Sequence, residues 1–203
     1  MSGIGVWRLA VAAALAAALS GPAAAKKPPA EATKPAAAAT QLLGKSGGWA
    51  AYASQDRTGR VCYLIGQPQK SEPAGLARKP PMAMVTHRPA EKIANVVSLV
   101  EGYALKEGSS VALEIGGRKF ELFTKDDSAW ASTAELDKAI VAALAKGRRA
   151  VVKGIPQKGP PTTDIYALAG FAPALSLIDK ACGVQREAKP PAKPHSNKKK
   201  PHG

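Results

Sequence analysis

The stretch VTHRPAEK, residues 85–92, holds His87, the one histidine outside the C-terminal tail, with Arg88 beside it and Glu91 four residues on. An imidazole, a guanidinium and a carboxylate at a strand end can bind an anion or transfer protons. The simpler reading is structural. Pro89 stops the strand, Arg88 and Glu91 pair locally, and His87 caps a loop. A nucleophilic triad also needs a matched nucleophile and an orienting group, and no G-x-S-x-G elbow supplies the serine. Other candidates are weaker still. Asp126 and Asp127 form a carboxylate pair, but KDDSAW reads as a solvated loop between strand and helix. Gly116-Gly117 is a hairpin turn, and neither phosphate-loop nor dinucleotide glycine spacing occurs. His195 and His202, seven apart in a Pro- and Lys-rich tail, make a poor metal site. The structural reading is therefore favoured, with no catalytic residue, cofactor or metal assigned.

The elements around these residues read as a mainly antiparallel β domain with two packed helices, a single sandwich-like unit with disordered flanks. WAAYAS and VCYLIG flank the polar QDRTGR and predict a hairpin with a loop of five or six residues. PMAMVTHR and NVVSLVEGYAL follow. SVALEIGGRKFELFT alternates through Val111, Leu113 and Ile115, turns at Gly116-Gly117, and alternates again through Phe120 and Leu122. RAVVKGI and TTDIYALAG form a further pair. STAELDKAIVAALAKG predicts a helix, with Ser132 and Glu135 in capping-box spacing, Leu136, Ile140, Ala143 and Leu144 on one face, and Gly147 as the stop. FAPALSLIDKACG predicts a second, with Phe171, Leu175, Ile178 and Cys182 on one stripe.

Residues 1–25 read as a secretory signal peptide: Arg8 gives the positive start, Leu9–Leu19 the apolar run, and Ala23-Ala24-Ala25 the cleavage site. Eleven helical residues rise about 16 Å, well short of a hydrocarbon core of about 30 Å, so no membrane-spanning segment is expected. Residues 26–41 are an Ala/Pro/Lys-rich linker without apolar period. The core runs over residues 42–183, and residues 184–203 form a basic, Pro-interrupted tail. The two cysteines, Cys62 and Cys182, nearly bracket the core. An even count in an exported chain implies a disulfide, here closing a strand onto a helix.

The formal net charge is +14; without Arg8, residues 26–45 hold +3, residues 184–203 hold +5, and residues 46–183 hold +5. Much of the basicity therefore lies in the flanks. A nucleic-acid reader needs a basic stripe on a defined element, so nucleic acid is not an expected partner. Anionic envelope material suits such a tail better: lipopolysaccharide, phospholipid head groups or acidic glycan. Lys189, Lys193, Lys198, Lys199 and Lys200 are the candidate contacts. The plainer alternative is that the tail only aids solubility.

GGWAAYAS, RVCYLIGQP, MVTHRPAEK and TTDIYALAGFAPAL, in this order before a terminal ACG, resemble the invasion-associated locus B family of small exported proteins of Gram-negative bacteria. The resemblance covers roughly residues 42–183. It implies an exported protein, periplasmic, on the surface or released, and accessory to host-cell entry in some members. The signal peptide, the disulfide pattern and the missing catalytic set add the reading that it acts by binding to envelope components or another envelope protein. It implies no enzymatic mechanism and transfers no catalytic residue. Two other readings stay open: a glycan-binding or hydrolytic protein using His87, Arg88 and Glu91, and a structural envelope protein held by its basic tail.

Export with cleavage near Ala25 is the direct consequence of the N-terminal pattern. Intact mass of protein recovered from the periplasm should correspond to a chain beginning near Lys26; a chain that keeps residues 1–25 in the inner membrane would overturn it.

Overall fold

A computed structural model describes residues 39–186. The signal-peptide region, nearly all of the linker and tail residues 187–203, with their five lysines, lie outside the described residues. The strands are β1 Gln41–Ser46, β2 Trp49–Asp56, β3 Gly59–Gly66, β4 Lys70–Glu72, β5 Met82–Arg88, β6 Ile93–Val100, β7 Ser110–Ile115, β8 Arg118–Lys125, β9 Ser128–Trp130, β10 Arg149–Gly154 and β11 Thr162–Ala167. The helices are α1 Ala134–Lys146 and α2 Phe171–Cys182. The eleven strands make one sheet in the order β1-β2-β3-β5-β6-β9-β8-β7-β10-β11-β4. Every strand pair in it is antiparallel. The fold is thus mainly antiparallel β with two helices.

Period-two patterning decides which face each strand buries. Trp49, Ala51 and Ala53 of β2 are buried, while Ala50, Tyr52 and Ser54 between them are not. Val111, Leu113 and Ile115 of β7 are buried in the same way. Trp49 on β2 reaches Tyr166 on β11, with ring centroids 6.5 Å apart, and its indole N–H donates to the Ala167 carbonyl at 2.9 Å. These strands stand far apart in sheet order, so the sheet curls until its two halves face each other. Gly66 permits this packing, because a Cβ there would fall onto the Trp49 ring.

Helix α2 lies against β1, β2, β3 and β5, and α1 lies against β6 and α2. The buried face of α2 holds Phe171, Ala174, Leu175, Ile178, Asp179 and Cys182. Phe171 meets Trp49 edge to face at 4.9 Å. Burying each large apolar side chain contributes about 1.5–3 kcal/mol. Cys62 of β3 and Cys182 of α2 are joined in a disulfide, with their α-carbons 6.0 Å apart.

Several local details differ from the sequence expectation. The β2–β3 hairpin turns on Arg57-Thr58 alone rather than on a longer loop, because the Asp56 carboxylate accepts from the Thr58 and Gly59 N–H groups and closes the turn tightly. Asp126-Asp127 joins β8 to a short strand, β9, rather than to the helix. Its backbone does the work: the Asp126 and Asp127 carbonyls accept from Leu105 and Glu101 N–H at 2.8 Å each. The N-cap of α1 is Thr133, not Ser132, and its hydroxyl accepts from Leu136 N–H. Glu135 then falls one position too early to complete a capping box. Strand β1 opens at Gln41, the last residue of the expected linker, and the described residues run past Gly183 to Arg186. The Gly116-Gly117 turn appears as expected, with φ of 55° and 82°, a left-handed pair that glycine adopts without strain.

The disulfide closes a separation of 120 residues. Thiol titration of the unfolded, unreduced protein should find no free thiol, and Cys62→Ser or Cys182→Ser should cost about 2–5 kcal/mol in chemical unfolding. Two free thiols per chain would refute the bond.

Candidate functional site

His87, Arg88 and Glu91 do not converge. Alternation along β5 sends His87 into the core, fully buried, and Arg88 outward. Arg88 bonds Asp56 Oδ2 at 2.7 Å and Glu91 Oε1 at 3.0 Å, and Thr58 links the two carboxylates with hydroxyl contacts of 2.7 and 2.9 Å. The Thr58 hydroxyl and N–H, then Arg88, hold the Asp56 carboxyl well below its usual range. This exposed cluster staples the β2–β3 turn to the Pro89–Glu91 turn after β5.

His87 has both ring nitrogens engaged. Nδ1 accepts from the Asn95 backbone N–H at 3.0 Å, so the proton sits on Nε2, which donates to Asp179 Oδ1 at 2.9 Å. Asn95, at φ 66°, belongs to an irregular stretch of β6 where the register with β5 shifts, and this presents its N–H to the ring. Arg186 closes the other side of Asp179 with bonds of 2.5 and 2.8 Å and reaches Asn95 Oδ1 at 2.8 Å. Burial pushes the Asp179 carboxyl up, but the His87 and Arg186 hydrogen bonds outweigh it and leave the carboxyl below its ordinary value. The imidazole therefore fastens α2 to β5 and β6.

A second polar cluster escaped the sequence reading. Arg78, in the β4–β5 connection, forks onto Asp164 of β11 with bonds of 2.8 and 2.5 Å. Its Nη1 also donates to the Glu101 carbonyl at 3.0 Å, and its guanidinium lies 5.5 Å from the centre of the Tyr103 ring. Ser71 of β4 donates to Asp164 at 2.5 Å. The Glu101 side chain follows β6 directly and is fully buried. Tyr103 donates to Glu101 Oε2 at 3.2 Å, which leaves Thr162 as the donor in the 2.5 Å contact between the two hydroxyls. Gly154 of β10 makes room, since a Cβ there would fall onto the Tyr103 hydroxyl and crowd Glu101 and Thr162. Glu101 Oε1 and the Tyr166 hydroxyl have no hydrogen-bond partner among the described residues. Burial, then the neighbouring Asp164 charge, push the Glu101 carboxyl up to about 7, with the Tyr103 bond and Arg78 acting the other way.

Chemically, this cluster can hold one proton on Glu101 inside the fold. Tyr166 also lines an apolar core cavity, with Trp49, Val97 and Phe171, whose volume is about 10 Å³, the space of a single water. Among the described residues no group of three His, Cys, Asp or Glu side chains is placed to hold a metal ion. No described helix is long and apolar enough to cross a membrane.

Glu101 gives the fold a pH dependence of definite sign. Its folded pKa, about 7, exceeds the ordinary 4.5, so between those values the native state keeps a proton that the unfolded chain has lost. Its contribution to stability therefore falls as pH rises through that window, by on the order of 3 kcal/mol in all, and is flat beyond it. Urea unfolding of Glu101→Gln against the parent should show the variant gaining relative stability from pH 4.5 to 7. A difference that does not vary with pH would refute the assignment.

The sequence of residues 49–179 matches the model of the family described as Invasion associated locus B (IalB) protein. Among solved structures, the chain is similar to the crystal structure of invasion associated protein b from Bartonella henselae. The identity is 19% and the TM-score 0.50, over 68% of this chain and 96% of that one, a likeness of fold. No curated protein matches the chain. The family match takes in the clasp residues His87 and Asp179 as well as Arg78, Glu101 and Asp164, and it spans more than half of the sequence. The protein belongs to the invasion associated locus B family.

Proposed function

We propose that the protein is exported and works in the cell envelope by binding, without an enzymatic step, to anionic material such as lipopolysaccharide, phospholipid head groups or acidic glycan. The observation that carries this reading is the Cys62–Cys182 bond, since structural disulfides persist in oxidising compartments such as the periplasm. The signal-peptide pattern of residues 1–25 agrees with it. The chemistry-bearing side chains of the core also support it, because His87, Arg78 and Asp164 spend their hydrogen bonds on holding elements together. The lysines at 189, 193 and 198–200 supply a cluster of positive charge in this reading. Family membership adds an accessory part in host-cell interaction as a further element of the proposal.

Fractionation of a Gram-negative host producing the full chain tests it. The protein should be oxidised, should sediment with envelope membranes at low salt, and should be released at about 1 M salt, where the screening length falls to about 3 Å. Changing the five tail lysines to Gln should weaken that association, and His87→Ala should leave it unchanged in protein that remains folded. Reduced protein in the cytosol would overturn export; protein that never sediments with membranes would overturn the binding role.

A further inference from the structure

The folded domain gathers most of its surplus positive charge at one end. Residues 46–183 hold 18 basic and 13 acidic side chains, a net +5. Arg118 and Lys119 open β8, Lys146 closes α1, and Arg148 and Arg149 lead into β10. All five are exposed. Antiparallel pairing brings them together: Ile115, at the end of β7, is opposite Arg118 on one side and Ala150 on the other. Gly147 holds the end of α1 against Ile115, where a Cβ would clash. The nearby carboxylate is Glu114, 3.0 Å from Lys153 and 3.9 Å from Lys119. Five basic residues against Glu114 leave +4 of the core's +5 here.

This concentration is more than the fold requires. Lys146 complements the C-terminal dipole of α1, and Arg118 lies over the Phe120 ring at 4.9 Å. Arg148 and Arg149 make no ion pair among the described residues, and like charges held together destabilise a chain until an anion relieves them. Two shallow grooves flank the hairpin tip and share Gly116. One, of about 130 Å³, is lined by Lys119, Arg149 and Glu114. The other, of about 240 Å³, lies between the tip and α1 and is lined by Arg118 and Lys146. Nothing stands within 4 Å of where a Cβ would sit on Gly116 or Gly117, so the tip is unobstructed. Both grooves fall below the roughly 300 Å³ of a site that engulfs a small organic ligand. They suit charged groups presented from a surface.

We propose that this end of the domain docks on lipid-borne phosphate groups of an anionic membrane, with Arg118 and Lys146 on one side of the Gly116-Gly117 tip and Lys119 and Arg149 on the other. The proposal rests on the envelope-binding reading and deepens it: the folded core, and not the tail alone, contacts the membrane, in one orientation.

The test is co-sedimentation with phosphatidylglycerol/phosphatidylcholine vesicles, using the full chain from Lys26 onward. Four forms are compared: parent, Arg118→Gln/Lys146→Gln/Arg149→Gln, the five tail lysines changed to Gln, and both sets together. The changed core side chains are exposed. Losing the Lys146 dipole contact and the Arg118–Phe120 contact lowers stability a little and relieving the repulsion raises it, so every form should remain folded, as circular dichroism checks. With the tail neutralised, binding should persist, and loss of the three core charges should weaken it about a hundredfold. Inorganic phosphate at matched ionic strength should not displace the protein; displacement would make this a single-phosphate pocket and overturn membrane docking. If the core triple variant binds as the parent does, or the tail variant alone loses all binding, the core surface is refuted while tail-mediated envelope binding stands. If the parent itself fails to bind, the envelope-binding reading falls too.

Discussion

The arrangement of this domain depends on how α2 is held to the inner face of the curled sheet. Cys62 and His87 are cross-strand partners on β3 and β5, and both face the helix. On α2, Asp179 and Cys182 are three residues apart and therefore share a face. Two cross-links thus run side by side: the disulfide, and the bond from His87 to Asp179. They do different work. The covalent link restricts the unfolded chain over 120 residues, which the chain-entropy account values at about 4–5 kcal/mol. The polar link fixes the angle of the helix, because a buried imidazole must satisfy both nitrogens and can do so only with Asn95 and Asp179 where they are. Small residues beneath, Ala51 and Ala53, let the helix approach closely.

The Arg78 cluster performs the same task where the β4–β5 connection crosses β11. A buried ion pair gains little over an apolar pair of the same shape, yet removing one partner costs about 3–5 kcal/mol because the other charge is stranded. Arg78 on Asp164 is therefore better understood as fixing placement than as adding stability. Its fork orients the connection, Ser71 adds a second tie from β4, and the Tyr103 ring covers the guanidinium. Glu101 is the strained member. It shares this enclosure with Asp164, and one of its oxygens has no hydrogen-bond partner among the described residues.

Features whose determinants are local in sequence were legible. The Gly116-Gly117 hairpin depends on two adjacent glycines, the helices on one stripe each, and the disulfide on an even cysteine count. Long-range polar pairs were not legible. Asp179 lies 92 positions from His87, and Asp164 lies 86 from Arg78; alone, each looks like an ordinary helix or strand-surface carboxylate. One local signal existed: Glu101 directly follows the apolar run VVSLV, where a solvated glutamate is out of place. The short strands β4 and β9 carry three residues each, too few to show alternation. Asp137 of α1 was hidden likewise. β9 pairs with β6 only from Ser98 onward, and Asp137 accepts the Val97 N–H at 2.7 Å.

The charges of the domain then divide by environment. Inside, a low dielectric makes an unpaired ion costly, so Arg78 and Asp179 are matched with counter-charges at hydrogen-bond distance. The half-exposed Arg88 is matched too, by Asp56 and Glu91. Close pairs of opposite sign have fields that cancel within a few ångströms, so they project nothing to a distant partner. Around the Gly116-Gly117 tip the basic side chains outnumber Glu114 five to one, and their fields add. Bulk water lowers the cost of holding them unpaired there, and the same exposure makes their field accessible to a polyanion and open to screening by salt. The paired charges serve the architecture, whereas the clustered like charges around the tip give that end of the domain a field that extends into solvent.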